Sequence, residues 1–298
     1  MKVKSNNDSH KRLVVGRRWA YVVASLLIII IVMVAFVYFS PRQSGPPKAA
    51  IVDQLSSSQL DPLSRHPNST FVNRTRELLY TRFSEVDYYS DNATVDEYRF
   101  LTSYRFIVWR AHSALNLVSN YTAISTSENY TSGSYDQYFE NGQLTLCSIT
   151  GDPNFYVAIT PSFVREVMNG RFEDTVIVFM SCNGLKQGYE KTAESFAEKG
   201  AKVFISWDGW VDMSDNDNAI SLLLEYLIGE SDSIAQAVGK IPSYSSLLYG
   251  NCTLKYYPAE AANYEIPNYR QSSVTGNVAL GMATISKRLK SARRSSPD

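Results

Sequence analysis

Residues 175–180 read TVIVFM and are followed by residues 181–184, which read SCNG. An uninterrupted run of apolar and β-branched side chains of this length is typical of a strand buried on both faces of a parallel sheet. Residues 104–109 (YRFIVW) and 201–207 (AKVFISW) have the same character, and helical patterns lie between these runs. The alternation predicts an α/β fold with a mostly parallel sheet and crossover helices.

The rest of the chain between residues 49 and 240 follows the same alternation, with one exception. The stretch 117–149 is rich in Tyr, Thr and Ser and has no clear period, and we interpret it as a hairpin or lid region. Outside it, strands are predicted at residues 49–55 and 86–89, and helices at residues 71–83, within 91–103, and at 161–168, 189–199, 215–228 and 233–238.

The segment from Trp19 to Phe39 contains 21 residues without a charge. As a helix it is long enough to cross the ~30 Å hydrocarbon core of a bilayer, and the basic residues before it predict a cytoplasmic N-terminus. A cleaved signal peptide is the alternative, but residues 37–41 lack its small-residue cleavage site. The predicted organisation is a cytoplasmic segment 1–18, a transmembrane signal anchor 19–39, a linker 40–48, an extracytoplasmic domain 49–286 and a basic tail 287–298.

The predicted exterior part contains six Asn-X-Ser/Thr acceptors. Such acceptors fit a glycosylated surface outside the cell, although random order in a segment this rich in Asn, Ser and Thr would already give several. The candidates are Asn68, Asn73, Asn92, Asn120, Asn129 and Asn251.

Several classes of function lose support from the sequence. The formal net charge is zero, which argues against a general nucleic-acid binder. The chain contains no Walker loop, no GxGxxG, no GxSxG, no HExxH and no CxxC motif. We therefore expect no nucleic-acid partner, no metal and no cofactor.

Two residues with useful chemistry follow two of the predicted strands. His112 lies just after the strand 104–109, and Cys182 lies just after the strand 175–180. Because ligands and reacting groups gather at the carboxyl ends of parallel strands, both residues are expected at one edge of the sheet. A neighbouring imidazole favours the reactive thiolate, so the pair could form a nucleophilic dyad. The alternative is a buried structural cysteine and a histidine that only ends a turn.

Residues 110–114 (RAHSA) and 180–184 (MSCNG) resemble the His and Cys motifs of the caspase-like cysteine peptidases of clan CD, which include caspases, legumain, gingipains, separase and CHAT domains. The helix, Gly-Ala turn and strand at residues 192–207 resemble the elements that come after the nucleophile in CHAT and separase domains. The resemblance covers roughly residues 49–240. It implies a caspase-like, flavodoxin-like three-layer sandwich and a thiol protease that acts on protein or peptide substrates.

The resemblance also implies roles for particular residues. Cys182 would be the nucleophile and His112 the general base or acid, while the backbone N–H groups of Cys182 and Ser113 would stabilise the oxyanion. Gly184 matches the family's Cys-X-Gly pattern. Ser113 stands where the family usually has glycine, which departs from the expected oxyanion geometry.

Four acids follow the strand after Cys182, in a region that contributes to the primary specificity pocket of this family. A carboxylate from Asp208, Asp212 or Asp215 at the base of such a pocket would favour Arg or Lys substrates. The alternative is that these acids, with Asp217, cap the helix that follows and interact with its dipole.

The chain has three cysteines, so at least one thiol stays unpaired within a single molecule in an oxidising environment. If Cys182 is the nucleophile, Cys147 and Cys252 could form a disulfide. No spacing in the sequence fixes the distance between them.

Two other functions remain open from the sequence. The first is a catalytically inactive descendant of the caspase-like fold that serves as a surface binding or sensing module. The second is a flavodoxin-like ligand-binding domain, because the same alternation of elements hosts many functions.

Overall fold

The computed structural model describes residues 46–246 and 250–270, together with residues 25, 26, 28 and 29. The chain divides at Gly45 into two units, and the fold below belongs to the second unit, from Pro46 onward. The predicted segments 1–18 and 287–298, and all but four residues of the anchor 19–39, lie outside the described residues. Within the described part of the chain, no helix has both the length and the apolar character needed to cross a bilayer.

The described residues form twelve strands and six α-helices. The strands are β1 (Ala49–Asp53), β2 (Val86–Tyr89), β3 (Phe106–Arg110), β4 (Ser113–Asn116), β5 (Tyr121–Asn129), β6 (Leu144–Ser148), β7 (Phe155–Ile159), β8 (Val176–Met180), β9 (Val203–Trp207), β10 (Tyr244–Ser246), β11 (Gly250–Cys252) and β12 (Leu254–Tyr257). The helices are α1 (Ser69–Leu79), α2 (Val95–Tyr98), α3 (Asp136–Glu140), α4 (Lys191–Glu198), α5 (Met213–Leu224) and α6 (Ile234–Gly239).

The main sheet has six strands in the order β12-β9-β8-β3-β1-β2. Five of them are parallel, and β12 pairs antiparallel with β9 at one edge. Every residue of β1, β3, β8 and β9 is buried, as their continuous apolar runs predict. The prediction of an α/β fold with a mostly parallel sheet is confirmed.

Each face of the main sheet packs against its own apolar cluster. Successive side chains of a strand point to opposite faces, so Ala49 and Ile51 pack with residues of α1, α5 and α6. Ala50 and Val52 pack on the other side, with residues of α2 and α4. Helices therefore cover both faces, and the loops at the carboxyl edge of the parallel strands form the open side of the sheet.

The segment 117–149 is more ordered than the predicted hairpin or lid. It supplies β5 and β6 to a second, four-stranded sheet in the order β4-β5-β7-β6, and it also contains α3. Strands β4 and β7 of this sheet were not predicted. The buried residues of β5 include Ser125, Thr126 and Ser127, and the Thr126 hydroxyl donates to the Val157 carbonyl at 2.9 Å. Because these hydroxyl-bearing residues are buried next to Ala123 and Ile124, the sequence carries no two-residue hydrophobic period.

Helix boundaries differ from prediction by a few residues. Helix α1 begins earlier than expected because Asn68 caps it, accepting a hydrogen bond from the Phe71 N–H at 3.0 Å. The predicted helix 161–168 is a π-helical turn, Phe163–Val167. Helix α5 begins at Met213 and continues into a π-helical turn, Glu225–Glu230.

Candidate functional site

His112 and Cys182 line one pocket at the carboxyl edge of the main sheet. They follow β3 and β8, which are neighbours in the sheet and pair in parallel up to Arg110 and Met180. The pocket has a volume of about 280 Å³. The topology thus brings together the two residues that the sequence singled out. The apolar lining residues are Leu63, Ala111, Ile149, Met180, Trp210, Val211 and Met213, and the other polar ones are Ser64, His66, Ser113, Ser148, Thr150, Ser181, Asp212 and Asn216.

Cys182 lies in the turn that follows β8 and is partly buried. The next residue, Asn183, has a φ of 58°, a left-handed conformation that Asn tolerates better than most residues, and its N–H donates to the Gly209 carbonyl at 2.8 Å. The Cys182 thiol donates to the Val211 carbonyl at 3.6 Å. Burial raises the pKa of this thiol. At neutral pH, Cys182 is therefore a thiol rather than a thiolate.

The His112 ring is oriented by one hydrogen bond. Its Nε2 lies 2.8 Å from the Ser64 carbonyl oxygen. A carbonyl only accepts, so Nε2 must carry a proton, and in the neutral ring Nδ1 is then the basic nitrogen. Burial lowers the pKa of His112, although the hydrogen bond to Ser64 opposes this, so the ring is neutral at pH 7.

The loop that orients His112 is held at several points. The Ser64 hydroxyl donates to Asp152 at 2.6 Å. The His66 ring stands edge-on to the His112 ring, with 6.2 Å between ring centroids. The backbone N–H of His112 donates to the Gln54 side chain at 3.0 Å, which fixes the start of the turn after β3.

Beneath this loop lies a buried ion network that sequence reasoning missed. Arg110 binds both carboxylate oxygens of Asp217, at 2.8 and 2.9 Å, and binds Asp53 at 3.0 Å. It also donates to the His66 carbonyl, at 2.7 Å. Asn68 donates to Asp217 at 2.9 Å. The sequence carried one signal of this network, because a charged residue ends each of two apolar runs. These residues, Asp53 and Arg110, are register partners at the ends of β1 and β3.

Ser113 and Gly184 support the turn that carries Cys182. The Ser113 hydroxyl donates to the Cys182 carbonyl at 2.7 Å and accepts from the Ser181 hydroxyl at 2.7 Å. The Ser125 N–H donates to the His112 carbonyl. Hydrogen-bonded pairs alternate along an antiparallel ladder, so the N–H of Ser113, one position further on, points away from β5. A Cβ at Gly184 would lie 2.1 Å from the Ser206 hydroxyl, so this position requires glycine for packing against β9.

Of the acids expected to form a substrate pocket, only Asp212 lines the pocket. Asp208 pairs with Lys255 at 2.7 Å and accepts the Thr253 N–H at 2.7 Å. Asp215 lies in the first turn of α5, outside the lining, and Asp217 belongs to the ion network. Asp212 precedes α5 and is exposed, and its side chain makes no capping hydrogen bond.

The three cysteines are all free thiols. Cys147 packs with Ala123 and Ala158 of the second sheet, whereas Cys252 belongs to a cluster beside the main sheet. The disulfide considered from the sequence is therefore not formed. Burial raises the pKa of both Cys147 and Cys252 to about 11.

The candidate glycosylation sites fall into two groups. Asn68 is only partly exposed, and both ends of its amide are hydrogen-bonded, to Asp217 and to the N-terminus of α1. The others are exposed: Asn73, Asn92, Asn120, Asn129 and Asn251.

No protein-family model matches the chain, and no curated protein is significantly similar to it. Within residues 46–246 and 250–270, no group of three or more His, Cys, Asp and Glu residues is arranged to hold a metal ion. The geometry of the pocket therefore carries the functional assignment.

Proposed function

We propose that this chain is a membrane-anchored, extracytoplasmic cysteine endopeptidase of the caspase-like type, with Cys182 as nucleophile and His112 as general base. One observation carries the proposal. Both residues directly follow adjacent parallel strands and line one pocket. The hydrogen bond from His112 Nε2 to the Ser64 carbonyl makes Nδ1 the basic nitrogen of the ring.

The arrangement of elements supports the caspase-like sandwich. Helices pack against both faces of the sheet β12-β9-β8-β3-β1-β2, which gives three layers. In such open sheets the reacting groups converge at the carboxyl ends of the strands, where this pocket lies.

The proposed reaction begins when a peptide carbonyl enters the pocket. His112 Nδ1 takes the thiol proton of Cys182, and the sulfur attacks the carbonyl carbon while the carbonyl oxygen becomes an oxyanion. Collapse of this intermediate breaks the C–N bond, and His112 returns the proton to the leaving amine. Water then attacks the thioester with His112 again accepting a proton, which releases the carboxylic acid and restores the thiol.

Two backbone N–H groups are available for the oxyanion. Among the described residues, no backbone carbonyl accepts a hydrogen bond from the N–H of Cys182. The N–H of Ser113 points away from β5, as its ladder position requires. The pair resembles the donors of an oxyanion hole, in which losing one donor typically costs about 10²–10³-fold in rate.

The membrane anchor in this proposal rests on the uncharged segment Trp19 to Phe39 and the basic residues before it. The exposed Asn-X-Ser/Thr sites, such as Asn73 and Asn251, support an extracytoplasmic domain.

The proposal is tested by labelling with a peptidyl acyloxymethyl ketone, whose carbonyl carries an adjacent leaving group that a sulfur nucleophile displaces. Modification is located by mass spectrometry. We expect Cys182 to be labelled, and Cys182→Ala to remove the label. His112→Ala should slow labelling by at least about 10²-fold, in the range that general base catalysis contributes.

His66→Ala is the matched control, because His66 lines the same pocket and its ring stands beside that of His112. The contact of Arg110 with His66 uses the backbone carbonyl, which this substitution keeps. Labelling that is equally slow in the wild type and in His112→Ala would contradict the peptidase proposal and favour an inactive binding module.

A further inference from the structure

Part of the wall of the pocket beside Cys182 is apolar, and the rest carries hydroxyl, amide and imidazole groups and the exposed Asp212. Ala111, Met180 and Val211 line it as buried side chains, and none of them has a polar side-chain atom that could pair with a charge. Met213 at the start of α5 and Ile149 complete this apolar part of the wall. A volume of about 280 Å³ is slightly below the ~300–1,000 Å³ of pockets that bury a drug-sized ligand, which suits one side chain.

The carboxylates near the pocket are engaged elsewhere. Asp208 pairs with Lys255, and Asp217 pairs with Arg110. Only Asp212 lines the pocket, and its carboxylate is exposed to water, where a single ion pair contributes little. A basic side chain would therefore lose hydration on entry without gaining a buried partner.

Two large apolar side chains also lie at the entrance, beside the exposed Ser148, Thr150 and Asp212. Leu63 is 72% exposed and Trp210 is 44% exposed, and both line the pocket. Exposed apolar side chains at the rim of a concave site lose contact with water when an apolar ligand covers them. Inside, Met180 and Met213 offer flexible thioether side chains that adapt to the shape of an apolar occupant.

From these observations we infer that the pocket accepts an apolar substrate side chain, aliphatic or aromatic, next to the reacting carbonyl, in place of the basic residue that the acid-rich sequence first indicates. The inference rests on the proposed peptidase function. It names Met180, Met213 and Trp210 as residues that determine specificity.

The test compares three acyloxymethyl ketone probes that differ only in the residue next to the ketone: Leu, Arg or Asp. The second-order rate of Cys182 modification is measured for each probe on the folded protein. We expect the Leu probe to react at least about tenfold faster than the other two, because a charged side chain is dehydrated without a partner. A rate with Arg equal to or above that with Leu would overturn the inference.

The His112→Ala variant separates the two proposals. If the Arg probe is preferred and its reaction still depends on His112, the peptidase proposal stands and the apolar specificity fails. If no probe reacts in a way that depends on both Cys182 and His112, both proposals fail.

Two variants then test whether Met213 determines which substrate side chain the pocket accepts. Met213→Glu places a carboxylate in the first turn of α5, where an acid suits the helix dipole, and should raise the ratio of the Arg rate to the Leu rate by about tenfold. Asp215→Asn is the control, since Asp215 occupies the same turn outside the pocket, and it should leave this ratio unchanged. An unchanged ratio in Met213→Glu, with the variant folded by circular dichroism, would contradict the assignment of Met213.

Discussion

The pocket and the ion network both lie at the carboxyl edge of the main sheet, but they differ in the charge of their buried groups. In the network, Arg110 is buried and bound to two carboxylates and a carbonyl. In the pocket, Cys182 and His112 are both neutral at pH 7, because burial raises the pKa of the thiol and lowers that of the imidazole. The comparison indicates that paired charges hold the loop around His66, while Cys182 and His112 carry no permanent charge.

The largest expected effect comes from removing the centre of the network. Arg110→Leu leaves Asp53 and Asp217 buried without their cation, and breaking a buried pair in this way costs about 3–5 kcal/mol. We expect a fall of that size in the free energy of unfolding, measured by urea denaturation.

Arg74→Leu is the matched control, because Arg74 pairs with Glu225 at 2.9 Å but its side chain is 62% exposed. Loss of that surface pair should cost at most about 1 kcal/mol. Equal losses in the two variants would mean that the network does not stabilise the fold as a buried unit.

A smaller effect is expected at the edge of the network, where Asn68 links Asp217 to the first turn of α1. Asn68→Ala removes an N-cap, which typically costs about 1 kcal/mol. Asn73→Ala, within the same helix but exposed, should change stability by less than about 0.5 kcal/mol. Denaturation of the two variants under identical conditions distinguishes these outcomes.

Asn68 and Asn73 can also be compared by their glycan occupancy in cells that attach N-linked glycans. A glycan on Asn68 would be attached to the nitrogen that donates to Asp217, where it would replace one of the two amide protons and bring a bulky sugar against this contact. We therefore expect peptide mapping of the folded, membrane-anchored protein to find glycan on Asn73 and none on Asn68. Full occupancy of Asn68 in a folded, stable protein would contradict its place in the network.

The parts of the molecule that could be predicted from sequence are those with a local signal. Strands such as β3 and β8 are continuous apolar runs, and their parallel pairing alone was enough to place His112 and Cys182 at one edge. Whether they act as a dyad stays a prediction.

The parts that could not be predicted depend on pairing between distant residues or on buried polar groups. Arg110 meets Asp217 more than a hundred positions away, and no periodicity encodes that contact. Strand β5 buries Ser125 and Thr126, which a search for apolar alternation overlooks. The acid-rich run looked like one binding surface, but ion pairs elsewhere take Asp208 out of it.

The smallest expected effect concerns pH and separates the pocket from the network. Burial lowers the pKa of His112 and of His66 below the ordinary 6.5, and the charge of Arg110 lowers both further. The hydrogen bond to Ser64 and the charge of Asp152 oppose this at His112, and Asp217 opposes it at His66. As pH falls below about 6.5, the unfolded chain binds these protons before the folded one does, so the free energy of unfolding decreases. Above that pH the contribution is fully present.

Other groups also titrate between about pH 7.5 and 5, so the comparison of variants isolates the histidines. His112→Asn should make the free energy of unfolding less sensitive to pH across this range than in the wild type, and His66→Asn should do the same. Urea denaturation at both pH values measures the change. If His112→Asn keeps the full wild-type dependence on pH, the ring is not held neutral by burial.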